Sequence, residues 1–315
     1  MRTTKVRDLS DNLCGEPMQI YVEWTSVSFA AELIDADGKV VDQIRHPVGV
    51  NQVKDAAFEA QFFALVPADW RRRATIGYLS GMITSRGGWI ETRFAQVPAG
   101  IAEIAAQGKR ILVDGLPLVF LCGVSTPAPL PDVMRGEELK AIAAAKCHAA
   151  ATVILPGAHT KYVAVEAGRI TRLATYMGGE TAALLRRDSL ISRLIPEDSA
   201  LTEDGFDRGL SVAWTSDVGG GLLRRLFSAR SLVLFERMPR EHIAGYIAGL
   251  VAGAEIFEAE TEWSLGSAPV LVVGDSPDAT RYRRALLQRG IDAQAATIDI
   301  GAVIATLSAT SPLLA

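Results

Sequence analysis

The stretch Leu155-Pro156-Gly157-Ala158-His159-Thr160-Lys161-Tyr162 follows an apolar run, Ala151-Thr152-Val153-Ile154, and leads into another, Val163-Ala164-Val165. Two β-forming runs joined by a Pro-Gly segment read as a hairpin with Gly, His, Thr and Lys gathered at its tip. Glycine at a tip lets backbone N–H groups come close to an anion. The Thr160 hydroxyl and the Lys161 charge add donors beside Gly157, a set that suits a nucleotide phosphate better than a core.

Working outward, this hairpin is the start of a pattern that occurs twice. Arg169 to Thr175 reads as a third strand after the turn Glu166-Ala167-Gly168, and Glu180 to Arg187 as a helix. Near the beginning of the chain, Gln19 to Trp24 and Ser28 to Ile34 read as paired strands. Asp35-Ala36-Asp37-Gly38 reads as a turn and Lys39 to Ile44 as the third strand. A helix is predicted from Asp55 to Val66, followed by a buried strand over Thr75 to Leu79. Two three-stranded units, each followed by a helix, indicate an internal duplication. Later segments read as helices over Leu222 to Leu234 and Glu241 to Glu262. A buried strand follows over Pro269 to Asp275, and then a helix over Thr280 to Arg289 that stops at Gly290.

Composition narrows the function classes. The 315 residues are 49% hydrophobic and 22% charged, with a net charge of −4, as in a soluble globular enzyme. The longest basic block is Arg71-Arg72-Arg73, so no nucleic-acid surface is expected. Apolar runs are interrupted well short of a membrane span. Met1 to Met18 lack an apolar run and are expected to form a loose tail rather than a signal peptide. Cys14, Cys122 and Cys147 are odd in number and show no metal-ligand spacing, which points to a reducing cytoplasm.

Several groupings outside the opening hairpin can carry chemistry. Ser80-Gly81-Met82-Ile83-Thr84-Ser85-Arg86-Gly87-Gly88-Trp89-Ile90-Glu91 is a glycine-rich loop after a strand, where α/β folds bind ligands. Arg86 can hold a carboxylate bidentately and Trp89 can wall a sugar-like ligand; a core-packed Trp with a surface Arg is the plain alternative. Asp132-Val133-Met134-Arg135-Gly136-Glu137-Glu138 is expected to open a helix running to about Ala150. Its acids serve either as helix caps or, around Arg135, as a frame for a polyhydroxy acid with one carboxylate as general base. Gly178 and Gly179 precede a helix start, a phosphate-binding geometry. Gly219-Gly220-Gly221 reads as a close-approach loop or a hinge. Gly274 sits in a strand-to-helix turn suited to a base or ribose.

These elements, in this order from about Ile20 to about Leu307, resemble the 2-dehydro-3-deoxygalactonokinase family of the actin, Hsp70 and sugar-kinase superfamily. The resemblance rests on Ser80-Gly81-Met82-Ile83-x-Ser85-Arg86-x-Gly88-Trp89-x-Glu91, Val133-Met134-Arg135-Gly136-Glu137-Glu138 and Leu155-Pro156-Gly157-x-His159-x-Lys161. It is carried further by Leu226-Phe227-Ser228-x-Arg230 and the region around Gly274 and Tyr282. It implies an α/β, two-lobed actin-like ATPase (ribonuclease H-like) fold, with duplicated βββα-type lobes around a cleft and a five-stranded mixed sheet in each. The expected division is a tail over 1–18, an N-terminal lobe over 19–150 that binds the sugar acid, and a C-terminal lobe over 151–315 that holds the adenosine pocket. The implied reaction is ATP-dependent phosphorylation of the 6-hydroxyl of 2-dehydro-3-deoxy-D-galactonate with Mg²⁺, in galactonate or galactose catabolism.

Carried onto this chain, the resemblance assigns Ser85, Arg86, Trp89, Arg135 and His159 to the sugar acid. The general base stays open among Asp132, Glu137 and Glu138, and Lys161 acts on the phosphates. Thr25, Ser26, Gly157, Thr160, Gly178, Gly179 and Gly274 fall to the nucleotide, and Glu23 to Mg²⁺ through water. No nucleic-acid or membrane partner is expected, and a homodimer is compatible with the sequence. The chain departs from the family pattern at the phosphate hairpins. Where the family has Asp-Trp-Gly-Thr-Thr-Asn-Leu-Arg, this chain has Glu23-Trp24-Thr25-Ser26-Val27-Ser28-Phe29-Ala30. Ala158 and Gly178 each stand where the family has Thr. Lost donors weaken transition-state stabilisation, so the competing expectation is a non-catalytic sugar-acid binding protein on a kinase scaffold.

Overall fold

In the computed structural model, which describes residues 17–217 and 219–310, β1 (Met18–Trp24) buries Ile20, Val22 and Trp24 completely. Such a strand belongs in the middle of a sheet. β2 (Phe29–Ile34) and β3 (Val40–His46) add to it antiparallel. The turn between them is the expected one: Asp35 Oδ1 accepts from the N–H of Asp37 and Lys39, and Gly38 stands at φ +83°. The helix expected from Asp55 begins only at Phe58, because Asp55 and Ala56 both hold φ +52°. It is α1 (Phe58–Leu65), followed by α2 (Ala68–Arg73) and by β4 (Ala74–Ser80), which runs parallel to β1. β5 (Phe94–Gln96) and α3 (Ile101–Ala106) lead to a hairpin of β6 (Lys109–Val113) and β7 (Leu116–Phe120).

This first sheet has the order β3-β2-β1-β4-β7-β6, six strands rather than the five that the resemblance implies. The additional strand is β6, turned back by Asp114 at φ +48° and Gly115 at φ +80°. That hairpin is absent from the sequence-based reading, although an Asp-Gly pair signals it. Under the sheet, the Trp24 ring meets Phe29 and Phe58 edge-on at 5.0 and 6.1 Å.

The chain continues through β8 (Gly123–Thr126), β9 (Asp132–Met134) and α4 (Glu138–Ala144). The helix predicted from Asp132 to Ala150 is therefore corrected to a strand followed by a short helix. Gly136, at φ +110°, turns the chain between the two. β10 (Ala150–Leu155), β11 (Thr160–Glu166) and β12 (Arg169–Tyr176) form the second antiparallel meander at the expected register. α5 (Gly178–Asp188) follows as predicted, then α6 (Glu203–Trp214), which the sequence-based reading lacks. The helix expected over Leu222 to Leu234 is two helices, α7 (Leu222–Leu226) and α8 (Ser228–Leu234), broken at Phe227. Next come α9 (Ile243–Trp263), β13 (Val270–Val273), α10 (Pro277–Gln288), β14 (Ala293–Ala296) and α11 (Ile300–Thr310). The second sheet has the order β12-β11-β10-β13-β14, with β13 and β14 parallel to β10.

The chain divides into two compact units. One takes residues 17–124, Arg135–Leu139 and residues 299–310; the other takes Ser125–Met134 and Lys140–Ile298. Of the expected tail, residues 1–16 lie outside the described residues, and Met18 already belongs to β1. Among the described residues no helix is long and apolar enough to cross a membrane.

The second unit is built around a close crossing of α6 on α9. A Cβ on Gly249 would lie 1.9 Å from the Phe206 carbonyl oxygen, and one on Gly209 2.3 Å from that of Tyr246. The two backbones therefore touch, and no side chain fits between them. Gly249→Ala is expected to destabilise the protein by about 2–3 kcal/mol through overpacking. Urea unfolding measures it, and an unchanged midpoint would contradict the close crossing.

Candidate functional site

β1 and β4 are parallel neighbours whose register sets Glu23 beside Ser80, so both residues stand at the carboxyl ends of their strands. That end of an α/β sheet is where ligands bind. Glu23 is half-buried, whereas Ser80 is buried and its Oγ lies 2.8 Å from the Tyr21 hydroxyl. Gly81 follows at φ +90°, and Gly136 packs on it so tightly that a Cβ there would lie 3.0 Å from the Gly81 Cα. This contact brings Glu138 into the unit. Its Oε2 accepts from the Gly136 N–H at 2.6 Å, while Oε1 is buried without a hydrogen-bond partner. Burial, reinforced by the Glu137 charge, pushes the Glu138 pKa up to about 8; the Gly136 N–H and Arg135 offset this only in part. Glu137, by contrast, is partly exposed and accepts from the Arg135 N–H.

Arg135 directs both terminal nitrogens of its guanidinium into the protein. Nη1 donates to the Thr84 carbonyl at 2.6 Å, to Thr84 Oγ1 at 2.7 Å and to Thr92 Oγ1 at 2.8 Å, and Nη2 to the Thr92 carbonyl at 3.1 Å. Its charged face stacks 4.3 Å above the Phe94 ring. Arg135 thus clamps the loop after β4. Within that loop Ser85 Oγ donates to the Met82 carbonyl, Arg86 is exposed, and Trp89 packs against Phe62 and Phe120 at 5.9 and 5.3 Å. Of the sequence-predicted sugar-acid residues in this unit, Arg86 is the one whose guanidinium faces solvent.

The first hairpin is closed on itself. Thr25 Oγ1 accepts from the N–H groups of Val27 and Ser28 at 3.2 and 2.9 Å, and the Thr25 N–H donates to the Ser28 carbonyl at 2.8 Å. The hydroxyl that replaces the family's glycine occupies two backbone donors of the turn. Ser26 stays half-exposed beside it.

The second hairpin is open at its tip. Gly157, Ala158 and His159 are exposed, whereas Thr160 and Lys161 lie below in β11 and are buried. Lys161 Nζ donates to Thr175 Oγ1 at 2.8 Å and to the Val133 carbonyl at 3.3 Å. Thr175 in turn donates its hydroxyl and its N–H to the two Asp132 oxygens at 2.8 and 2.6 Å. Asp132 therefore holds Thr175, which in turn holds Lys161. The tip is fastened to α5: the Glu180 N–H donates to the Ala158 carbonyl, and His159 Nε2 lies 2.7 Å from Glu180 Oε2. A Cβ on Gly179 would strike the Gly157 carbonyl at 2.1 Å. Gly157, Gly178, Gly179, Arg186, Asp278 and Tyr282 line a cavity of about 80 Å³. Gly274 stands exposed at φ +98° at the end of β13, just ahead of α10. Gly219, Gly220 and Gly221 border a different cavity of about 520 Å³, with Trp214 and Glu258.

Removing the Arg135 clamp takes a donor from the buried Thr84 and Thr92 hydroxyls and from the Thr92 carbonyl. Arg135→Ala is expected to lower stability by on the order of 3 kcal/mol, as such losses do. Chemical unfolding reads this directly; a variant as stable as the parent would mean that the guanidinium serves a ligand instead.

Residues 23–309 match the 2-keto-3-deoxy-galactonokinase family. The chain is 29% identical to the 2-dehydro-3-deoxygalactonokinase of Escherichia coli strain K12 over 283 residues, covering 89% of this chain and 93% of that protein. A solved structure from Sinorhizobium meliloti, of a protein to which the same activity is ascribed, superposes with a TM-score of 0.78 at 26% identity, covering 94% of this chain and 99% of that one. The fold is shared more distantly with the (R)-2-hydroxyglutaryl-CoA dehydratase component A of Acidaminococcus fermentans, at a TM-score of 0.51 and 14% identity over 93% of this chain and 97% of that one. With two α/β units of mixed sheets and a match along nearly its whole length, the chain belongs to the 2-keto-3-deoxy-galactonokinase family.

Proposed function

We propose that this protein is a kinase that transfers the γ-phosphoryl group of ATP to the 6-hydroxyl of 2-dehydro-3-deoxy-D-galactonate. Family membership supports the reaction class, a phosphotransferase with an alcohol acceptor. The observation that carries the residue assignment is Glu138 Oε1, a buried acceptor with no hydrogen-bond partner among the described residues. Such a group is costly to leave unmet and is explained by a ligand that completes it.

In this reading the acceptor hydroxyl donates to Glu138. As the bond from the hydroxyl oxygen to phosphorus forms and the bond to ADP breaks, the hydroxyl proton passes to the carboxylate. A base with a pKa near 8 is well matched to this task near neutral pH. Arg86 supplies the cation for the acid end of the substrate. Arg135 holds the loop that carries Arg86, through Thr84 and Thr92. Lys161, kept in place by Thr175 and Asp132, supplies the positive charge of the nucleotide half, with the open tip at Gly157 and the start of α5 as backbone donors.

Mg²⁺ accompanies the nucleotide in this proposal. Among the described residues no cluster of three or more His, Cys, Asp or Glu forms a metal cage. Nucleotide-bound Mg²⁺ needs only one or two carboxylates besides water and phosphate oxygens, so Glu23 at the end of β1 fits that donor set. The ion would neutralise phosphate charge. The self-closed first hairpin shifts nucleotide recognition towards the second unit; the family membership supports a place for the enzyme in carbohydrate metabolism, in the cytoplasm.

Substrate-dependent ADP release in a coupled assay tests the activity, and its absence with every 2-keto-3-deoxy acid would refute it. The acceptor kcat/KM is expected to rise with pH through the Glu138 pKa and level off above about 8. The sign follows because only the ionised carboxylate accepts a proton. Glu138→Gln should lower kcat by about 10²–10⁴-fold, the usual range for a lost general base. Lys161→Ala should lower kcat by about 10²-fold or more, and an unaffected variant would remove Lys161 from the phosphate site.

A further inference from the structure

Glu255 has no task in the reading above, yet it is the one acid buried in the middle of the 21-residue, largely apolar α9. It is 4% exposed. The Tyr282 hydroxyl, from α10, donates to Oε1 at 2.9 Å, and Thr160 Oγ1, from β11, lies 3.3 Å from the Tyr282 oxygen. Oε2 has no hydrogen-bond partner of good geometry and points at the first residue of α5: a Cβ on Gly178 would lie 2.0 Å from it. The threonine that the family pattern has at this position has no room beside the carboxyl group.

One carboxyl group thus joins α9 to α10, β11 and the N-terminus of α5. Gly178 and Tyr282 also line the small cavity under the second hairpin, with Gly157 and Gly179. Elements that have to hold one geometry around a nucleotide therefore share a single buried contact. We propose that Glu255, in its neutral form, is a positioning residue of the nucleotide half-site, fixing Tyr282, Thr160 and the start of α5. The assignment rests on the kinase reading for the identity of the ligand.

The surroundings favour the neutral form. Burial pushes the Glu255 pKa up to about 8, and the Tyr282 and Thr160 hydroxyls and the Gly178 N–H pull it back only in part. Glu258 on the same helix adds negative charge, and the neighbouring groups are Tyr282 and Asp278 on α10, Tyr162 on β11 and Tyr176 on β12. Arg186 on α5 and Arg281 on α10 line the same small cavity, with Arg281 paired to Glu203 and Asp278, and burial remains the largest influence on Glu255. A neutral acid places no negative charge next to bound phosphates; an ionised one repels them and breaks the shared contact. If nucleotide binds the neutral form, its affinity falls as pH rises above that pKa, by about tenfold per pH unit.

The test is calorimetric titration of the full-length protein with ADP and with ATP·Mg²⁺, from about pH 7.5 to about 9.5, for the parent, Glu255→Gln and Tyr282→Phe. Melting temperatures check folding. No acceptor is present, so a failed acceptor assay removes the proposed activity without deciding this assignment. Glu255→Gln, which keeps the acceptor for Tyr282 but cannot ionise, should bind like the parent at the lower pH. It should hold that affinity at the higher pH, where the parent loses about tenfold or more. Tyr282→Phe should bind nucleotide about tenfold more weakly, the worth of roughly one hydrogen bond, with the KM for the sugar acid unchanged. Parallel pH profiles for the parent and Glu255→Gln, or undiminished nucleotide affinity in Tyr282→Phe, would overturn the proposal.

Discussion

Everything at the candidate site depends on the parallel pairing at the centre of each sheet. In the first unit β1 lies beside β4, and in the second β10 lies beside β13. Parallel neighbours present their carboxyl ends side by side, and both meanders add their hairpins to that arrangement. Glu23 and Ser80 are brought together by register in the first unit. In the second, the hairpin after β10 meets the start of α5 through Gly157 and Gly179. The apolar strands make these pairings, and the polar residues with chemistry stand where the strands end.

Among the described residues, each unit also contains one deeply buried carboxylic acid. Glu138 and Glu255 both have pKa values raised to about 8 by burial, and among the described residues each has one oxygen without a hydrogen-bond partner of good geometry. Their surroundings differ in a way that separates the roles. Glu138 is bonded to the backbone of Gly136 and has an unmet oxygen, which suits a ligand. Glu255 is bonded to the Tyr282 side chain, and its other oxygen is pressed against Gly178, which suits a structural contact. Both acids are protonated more readily in the folded chain than in the unfolded one. Their contribution to stability is therefore largest at low pH and is lost as pH rises towards 8 and beyond.

Much of the fold is legible in the sequence because its signals are local. The Asp35–Gly38 and Ala167–Gly168 turns, the alternating strands and the apolar β13 follow from residue type and spacing. The errors have particular causes. Asp132 to Glu138 carries helix-capping residues, yet β9 is extended because Asp132 bonds Thr175, a contact between residues 43 positions apart. Phe227 breaks a helix without any Gly or Pro to announce it. At the site, the residue types were visible and their partners were not. Arg135 looks like a carboxylate receptor in sequence, whereas in the fold its terminal nitrogens bond Thr84 and Thr92. Glu255 did carry a signal: an acid within an otherwise apolar run has to be buried, and a buried acid needs a reason.

The departures in the first hairpin acquire a physical meaning in the same way. Thr25 does more than add bulk, since its hydroxyl binds the turn's own N–H groups. The second hairpin keeps its tip open, with Lys161 held below it by Thr175. The most direct measurement of the central claim is the ³¹P spectrum of the product formed from ATP and 2-dehydro-3-deoxy-D-galactonate. The account predicts one new phosphomonoester whose phosphorus couples to the two protons on carbon 6. Unchanged ATP, or a phosphate on any other oxygen, would contradict it.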